Sequence, residues 1–149
     1  MNRRKFLGLG LAAAAVLPTA INAVDFRKTK PDTWTAHKVE DGIKGLFGDI
    51  KAEASDKIKL KTPKVASNGG AIPINIKTDI EAKTVAVFQD VNPESTVAVF
   101  SVPEGGIVDY GMKIKMKGSG KITIIVEDRA GKFHSKVNEL EVALGGCEG

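Results

Sequence analysis

The chain has 149 residues, which suits one domain. Its 22 basic residues include Arg3, Arg4 and Lys5, and without these three the remaining 19 nearly balance 18 acidic ones, which removes the electrostatic case for nucleic-acid binding. A single cysteine, Cys147, excludes an intramolecular disulfide and a metal site built from several cysteines.

The first 23 residues have the pattern of an export signal. Adjacent arginines at positions 3 and 4 precede an apolar run from Leu7 to Leu17, and small residues around Ala23 suggest cleavage before Val24. The run is too short to span a membrane. We therefore predict a twin-arginine signal peptide over residues 1–23 and a periplasmic mature protein. The alternative is an ordinary secretory signal that contains two arginines.

A helix is predicted next, over Trp34–Ile50. Its apolar residues recur at helical spacing: Val39, Ile43, Leu46, Phe47 and Ile50. Asp32 and Thr33 precede this pattern and are candidate N-caps. Gly42 and Gly45 weaken the helix, so it requires tertiary packing to persist.

After Ser55 the apolar period changes to two, which indicates β-strands. Seven segments with turn signals between them show this pattern: 57–61, 72–76, 84–90, 95–102, 112–116, 121–127 and 132–144. The sequence therefore predicts a mainly β domain over residues 24–144. We expect an immunoglobulin-like antiparallel β-sandwich of about seven strands with an N-terminal helix.

Two of these strands carry local irregularities. Pro73 has no amide hydrogen to donate, so its strand is predicted to lie at a sheet edge or to bulge. In the last strand the apolar phase changes from Phe133 and Val137 to Leu140 and Val142. One extra residue near positions 138–139 would restore a common face, so a β-bulge is predicted there.

The last residues, 145–149, form the strongest candidate for chemistry. They read Gly-Gly-Cys-Glu-Gly, so Cys147 follows the glycines Gly145 and Gly146 and precedes Gly149. Glycines allow many backbone conformations, which predicts a flexible arm that carries a thiol. The carboxylate of Glu148 disfavours a thiolate beside it, so an activating group must come from a partner. The alternative is an incidental thiol in a frayed tail.

The other candidate groups of residues do not indicate an autonomous enzyme. His37 and His134 could bind a metal together with Cys147 only across long sequence separations. We therefore predict that the two histidines are either hydrogen-bonded or exposed, and that the chain has no metal site or cofactor. There is no nucleophile elbow. The alternating lysines at 113, 115 and 117 predict a solvated strand face, and as a second reading a surface that meets anionic cargo or an acidic partner.

The chain resembles the SoxY family of thiosulfate oxidation. That family ends in a Gly-Gly-Cys-Gly-Gly arm, and the similarity covers the mature chain through Ile58–Gly69, Ile72–Ile74, Asn92-Pro93 and Met112–Met116. The paired arginines of the leader also fit. Glu148 departs from the family pattern, because a glycine stands there in the family, and this leaves the choice of partners open.

The resemblance implies a covalent sulfur carrier, not an enzyme. It implies a heterodimer with SoxZ, oxidative attachment of thiosulfate to Cys147 by a haem-containing SoxAX cytochrome, and removal of sulfate by the metal-dependent hydrolase SoxB. A sulfur dehydrogenase is a further implied partner. Two alternatives remain open: a SoxY-like carrier for another exported redox enzyme, and a structural sandwich protein that dimerises through Cys147.

Overall fold

The computed structural model describes residues 24–143, which form three helices followed by nine strands. The helices are α1 (Phe26–Thr29), α2 (Pro31–Thr35) and α3 (Val39–Phe47). The strands are β1 (Ala52–Ala54), β2 (Ile58–Lys61), β3 (Val65–Ala66), β4 (Ile72–Thr78), β5 (Ala82–Gln89), β6 (Thr96–Ser101), β7 (Val108–Ile114), β8 (Gly120–Asp128) and β9 (Phe133–Val142). No helix within this range is long and apolar enough to cross a membrane.

The strands form two sheets, which confirms the predicted β-sandwich. The larger sheet has the order β1-β9-β8-β5-β6, with β3 also paired to β9, and the smaller sheet has the order β2-β4-β7. The seven predicted strands correspond to β2 and β4–β9. The two additional strands, β1 and β3, have three and two residues, and both run parallel to β9. Segments this short carry no readable period in the sequence.

The main core lies between the two sheets. Alternate side chains of β2 and β4, including Ile58, Ile74 and Ile76, meet Val85, Ile124 and other buried residues of the larger sheet. The alternation of buried and exposed positions along β2 and β4 matches the period of two in the sequence.

The larger sheet is also apolar on its second face, where α3 packs. Leu46 of α3 lies with Ala86, Phe88 and Ile125 in a second buried cluster, and Phe133 of β9 packs against it. The rings of Phe47 and Phe133 meet edge to face at 5.1 Å between centroids. This sheet is therefore a middle layer between α3 and the smaller sheet.

The predicted β-bulge in β9 is wrong, and the middle layer gives the reason. The β8–β9 register runs without a shift from the Gly120–Leu140 pair to the Glu127–Phe133 pair. Phe133 faces the helical layer at one end of β9, whereas Leu140 faces the main core at the other end. The apolar phase changes because the strand serves two cores. The register shifts that do occur lie along β5.

The single predicted helix over Trp34–Ile50 is also wrong, because the chain forms two helices there. The break spans residues 36–38, where Ser95 binds the backbone with its side chain: Ser95 Oγ donates to the carbonyl oxygens of Ala36 and Lys38 at 3.1 and 2.9 Å. The residue before α3 is Lys38, so neither Asp32 nor Thr33 caps it. Both residues lie inside α2 instead.

Buried hydroxyls hold the two helices together. The Thr33 hydroxyl donates to the Gly42 carbonyl oxygen at 2.7 Å, and the Thr96 hydroxyl donates to the Thr33 carbonyl oxygen at 2.7 Å. A Cβ on Gly42 would lie 2.8 Å from Ser95 Oγ, so the glycine permits this close approach. The residue that weakens the helix in the sequence is therefore the one that lets α3 dock.

Pro73 does not place its strand at an edge, since β4 is the central strand of the smaller sheet. The pairing with β2 covers only residues 75–78 of β4, whereas the pairing with β7 extends from Ile72 to Thr78. Pro73 thus lies beyond the end of β2. A residue without an amide hydrogen is tolerated where one side of a strand lacks a partner, and β2 does not extend alongside Pro73.

Candidate functional site

The predicted arm lies outside the described residues, and its attachment to the fold lies inside them. Cys147, Gly145, Gly146 and Gly149 all fall in residues 144–149. The last described residues are Val142, which ends β9, and Ala143. We call residues 141–143 the arm root.

Three backbone hydrogen bonds fix the arm root. The amide of Glu141 donates to the Lys64 carbonyl oxygen, and the amide of Ala143 donates to the Ala66 carbonyl oxygen, both at 2.9 Å. Between them, the amide of Val142 donates to Ser119 Oγ at 2.9 Å. The parallel strand β3 and the residue before it supply the first two acceptors, so the fold holds the chain firmly up to the residue before position 144.

The arm root sets how far the thiol can be from the fold. Cys147 is the fourth residue after Ala143 in the sequence. Covalent geometry limits four residues to about 14 Å between the two Cα atoms. This length is the upper limit on the distance between the Cα atoms of Ala143 and Cys147, and β3 and the loop before β8 lie beside Ala143.

A surface groove of about 610 Å³ runs along the arm root. Its lining comes from β9, the segment at β3 and the start of β8: Lys64, Val65, Ser119, Gly120, Glu139, Leu140 and Glu141. Val65 is 58% exposed, which is high for a large apolar side chain in this fold. The groove thus offers apolar surface and both signs of charge.

Gly120 makes this end of the sandwich compact. A Cβ on Gly120 would overlap the side chains of Asp90 and Val91. The same carboxylate accepts from the amide of Lys121 at 2.8 Å, which ties the start of β8 to the β5–β6 loop. In the sequence Gly120 predicts only a turn, and no local signal points to this contact.

Both histidines are within hydrogen-bond distance of an oxygen atom in the structure. Nδ1 of His37 lies 2.7 Å from the Pro93 carbonyl oxygen, and Nε2 of His134 lies 2.8 Å from Asp128 Oδ2. Within residues 24–143, no group of three histidine, cysteine or acidic side chains is placed to hold a metal ion.

Asp128 organises the turn between β8 and β9. Its Oδ1 accepts from the amides of Ala130 and Lys132 at 2.9 and 2.8 Å, and its Oδ2 pairs with His134. The hydrogen bond with His134, followed by the backbone bonds, lowers the pKa of the Asp128 carboxyl below its ordinary value. This cluster lies at the opposite end of β9 from the arm root, so its role is structural.

A family model described as sulfur oxidation protein SoxY matches residues 43–147. The match covers most of the chain and ends at Cys147. A search of the curated proteins found no match to the sequence.

Solved structures show the same fold. The structure of the sulfur carrier protein SoxY from Chlorobium limicola f thiosulfatophilum is 26% identical, with a TM-score of 0.66, over 72% of this chain and 97% of that one. Neelaredoxin, a superoxide reductase from Ignicoccus hospitalis, is 13% identical with a TM-score of 0.54, over 62% and 95% of the two chains. At that identity the second similarity concerns the fold alone.

Proposed function

The chain belongs to the SoxY family of sulfur oxidation proteins, and from this premise we propose that it carries thiosulfate-derived sulfur covalently on Cys147 in the periplasm. The observation that carries the proposal is the family match over residues 43–147, which ends at the single cysteine of the chain. The similarity to a solved structure described as a sulfur carrier protein supports it.

The arrangement of the root supports a carrier. A carrier must hold its attachment point firmly while its reactive atom moves between enzymes. The hydrogen bonds of Glu141, Val142 and Ala143 provide the firm point, and the two glycines at 145 and 146 would provide conformational freedom shortly after it. Only a short chain segment then has to enter a recessed active site.

The proposed chemistry at Cys147 has two steps. In the first, the thiol and thiosulfate form an S–S bond that gives Cys-S-S-SO₃⁻, and one proton and two electrons leave, the electrons to a haem-containing SoxAX cytochrome. In the second, a hydrolase of the SoxB type adds water across the terminal S–S bond, which releases hydrogen sulfate and leaves Cys-S-SH. A sulfur dehydrogenase is the proposed oxidant of the remaining sulfane sulfur. The carrier supplies the attachment atom, and the partners supply the redox and hydrolytic groups.

We place the carrier in a heterodimer with SoxZ. The predicted twin-arginine leader over residues 1–23 would export it, and since that route transports folded proteins, the pair could assemble before export. The leader lies outside the described residues.

The test is the intact mass of the periplasmic protein from cells grown on thiosulfate, measured without reductant. We expect a reductant-labile addition of thiosulfate or sulfane sulfur on the peptide that contains Cys147. The matched control is Cys147→Ser, which should lose both the addition and thiosulfate oxidation by the cells.

Two outcomes would overturn the proposal or part of it. If the Cys147→Ser variant loses only a disulfide-linked dimer and the cells still oxidise thiosulfate, the protein is a structural sandwich protein. If Cys147 carries sulfur in cells that lack thiosulfate oxidation, the carrier serves a different exported redox enzyme.

A further inference from the structure

Two stretches of the chain contain lysines and no acidic residue, and the fold places them side by side. Residues 57–78 form β2, β3 and β4, and residues 110–126 include most of β7 and β8. The lysines in these stretches are Lys57, Lys59, Lys61, Lys64, Lys77, Lys113, Lys115, Lys117 and Lys121. Because β4 pairs with both β2 and β7, lysines of both stretches meet on the smaller sheet.

The outer face of the smaller sheet is a cationic surface. The inward positions of its strands are mostly buried aliphatic residues, with Tyr110 and Met112 half-buried, so the alternate positions point to solvent. Beyond β7, two exposed lysines flank the buried Met116. We call this surface the lysine face, and its members are Lys59, Lys61, Lys77, Lys113, Lys115 and Lys117.

The charge on the lysine face is poorly balanced within the chain. Lys59 stands directly opposite Lys77 in the β2–β4 register, an arrangement that destabilises a sheet. Lys77 lies 3.5 Å from Asp109, the carboxylate that this face does contain. Across residues 24–143, no carboxylate lies within ion-pair distance of the other five lysines.

The surroundings of Asp109 show which groups of the lysine face stabilise a carboxylate. Asn75 Nδ2 donates to Asp109 Oδ1 at 3.0 Å, and this bond, together with the charges of Lys77 and Lys61, lowers the pKa of Asp109 below its ordinary value. The face therefore favours an ionised carboxylate at its surface. Carboxylates of a second protein would meet the same donors and charges at the lysines that lack a partner.

The lysine face reaches the end of the sandwich that carries the arm root. Asn138 of β9 donates to the Leu60 carbonyl oxygen at 2.9 Å, which fixes the end of β2 beside the last residues of β9. On the other side, Ser119 binds the amide of Val142 only two residues after Lys117. A protein that covers this end of the lysine face would thus be close to the residues that follow Ala143.

We propose that the lysine face is a docking surface for a partner protein that presents a cluster of carboxylates. The lysines are spread over three strands and the segment after β7 and do not converge on one point, which suits a complementary protein surface better than a small anion. The near balance of basic and acidic residues outside the leader disfavours a nucleic acid. The proposal rests on the proposed function in one respect, since it makes the partner an enzyme that receives the arm.

The first experiment needs no sulfur on Cys147, so its result is independent of the proposed function. Isotopically labelled mature protein, with any subunit that copurifies, is titrated with poly-L-glutamate and followed by amide NMR shifts. We expect shifts on β2, β4 and β7 around the lysine face. The variant Lys61→Glu, Lys113→Glu, Lys115→Glu should bind at least about tenfold more weakly. The control variant Lys44→Glu, Lys51→Glu, Lys132→Glu has the same net charge and should bind like the parent protein.

The second experiment measures how fast the purified loading enzyme modifies Cys147 at several salt concentrations. Electrostatic steering accelerates association by roughly 10- to 1,000-fold and weakens as salt rises. We therefore expect the lysine-face variant, but not the control variant, to be loaded about tenfold more slowly at low salt, with the difference shrinking at high salt.

Two results would overturn the docking surface. One is an equal loss of poly-L-glutamate binding in the two variants, which would show that binding depends only on the net charge of the protein. The other is a response of the lysine-face amides to millimolar thiosulfate and not to poly-L-glutamate, which would make the face a small-anion site. If poly-L-glutamate docks while Cys147 never carries sulfur, the docking surface stands and the proposed function fails.

Discussion

At the residue scale, single polar side chains decide how the elements of this fold join. Asp128 closes the β8–β9 turn through two amides and His134, and Ser95 interrupts the helical segment by binding two carbonyl oxygens. Neither role follows from local sequence pattern. An aspartate in a turn is expected, but its pairing with a histidine six residues later depends on the strand register.

Asp128 makes the stability of the fold depend on pH in the acid range. Its hydrogen bonds hold the pKa of the folded carboxyl below the ordinary value of 3.8. The unfolded chain therefore takes up the proton first as pH falls, so the stabilisation is complete above about pH 4 to 5 and is lost as pH falls through the folded pKa. Asp128→Asn removes this contribution, and we expect it to lower the free energy of unfolding by about 1 kcal/mol at pH 7.

Urea unfolding of both proteins between pH 2.5 and pH 7 measures this effect. The two stability curves should converge at the acid end and separate as pH rises. Glu139→Gln, at an exposed position on the same strand, is the control and should leave the curve unchanged. Parallel curves for Asp128→Asn and the parent protein would show that the carboxylate does not titrate differently in the folded state.

At the element scale, β9 shows why the sequence predicted the sandwich and missed its third layer. A period of two identifies a strand, and seven such segments suffice to indicate two sheets. The same pattern cannot show that one sheet is covered on both faces. That property depends on where α3 docks, and the docking is set by Gly42 and by hydroxyls distant in sequence.

The candidate site likewise has one part that could be predicted from the sequence and one part that could not. Cys147 and its glycines are visible in the sequence because residue type and spacing carry their chemistry, and they remain a prediction. The arm root could not be predicted, since its acceptors come from a two-residue parallel strand, from the residue before that strand and from Ser119 in a loop. The sequence showed the lysine face only as a stripe at residues 113–117, because its other lysines come from strands that the sheet brings alongside.

Because β9 contributes side chains to both cores, two substitutions in this strand should differ strongly in their effect on stability. If a bulge existed, Val137 would share the buried face of Leu140, and a charged side chain at position 137 would strongly destabilise the fold. In the structure Val137 is 50% exposed and Leu140 is 1% exposed. We therefore expect Val137→Lys to change the free energy of unfolding by no more than about 0.5 kcal/mol, and Leu140→Ala to lower it by about 2–5 kcal/mol. Chemical denaturation measures both, and a cost for Val137→Lys as large as that for Leu140→Ala would restore the bulge.

At the scale of the whole molecule, a rigid sandwich and a short segment of chain divide the proposed work of a carrier. The middle sheet is packed on both faces, and its strand β9 is bonded on both sides up to Ala143. If Cys147 moves between enzymes as we propose, that movement begins after Ala143. In this proposal the fold provides a fixed attachment point with a charged surface beside it, and the arm brings the thiol into the active site of an enzyme.

The glycines of the arm should therefore govern transfer to enzymes and not stability. Proline at Gly145 fixes a backbone angle that glycine leaves free. We expect Gly145→Pro to slow enzymatic loading of Cys147 by at least about tenfold, because misplacement of a reacting atom by about 1 Å can cost 100-fold. Its melting temperature and its reaction with a small disulfide reagent should match the parent protein, since neither requires the thiol to enter a recessed site. Gly118→Ala, at a loop glycine with open space around it, is the matched control. If the small reagent also reacts more slowly with the variant, the substitution has changed the reactivity of the thiol itself. If enzymatic loading is unchanged, the arm does not act as a hinge at Gly145.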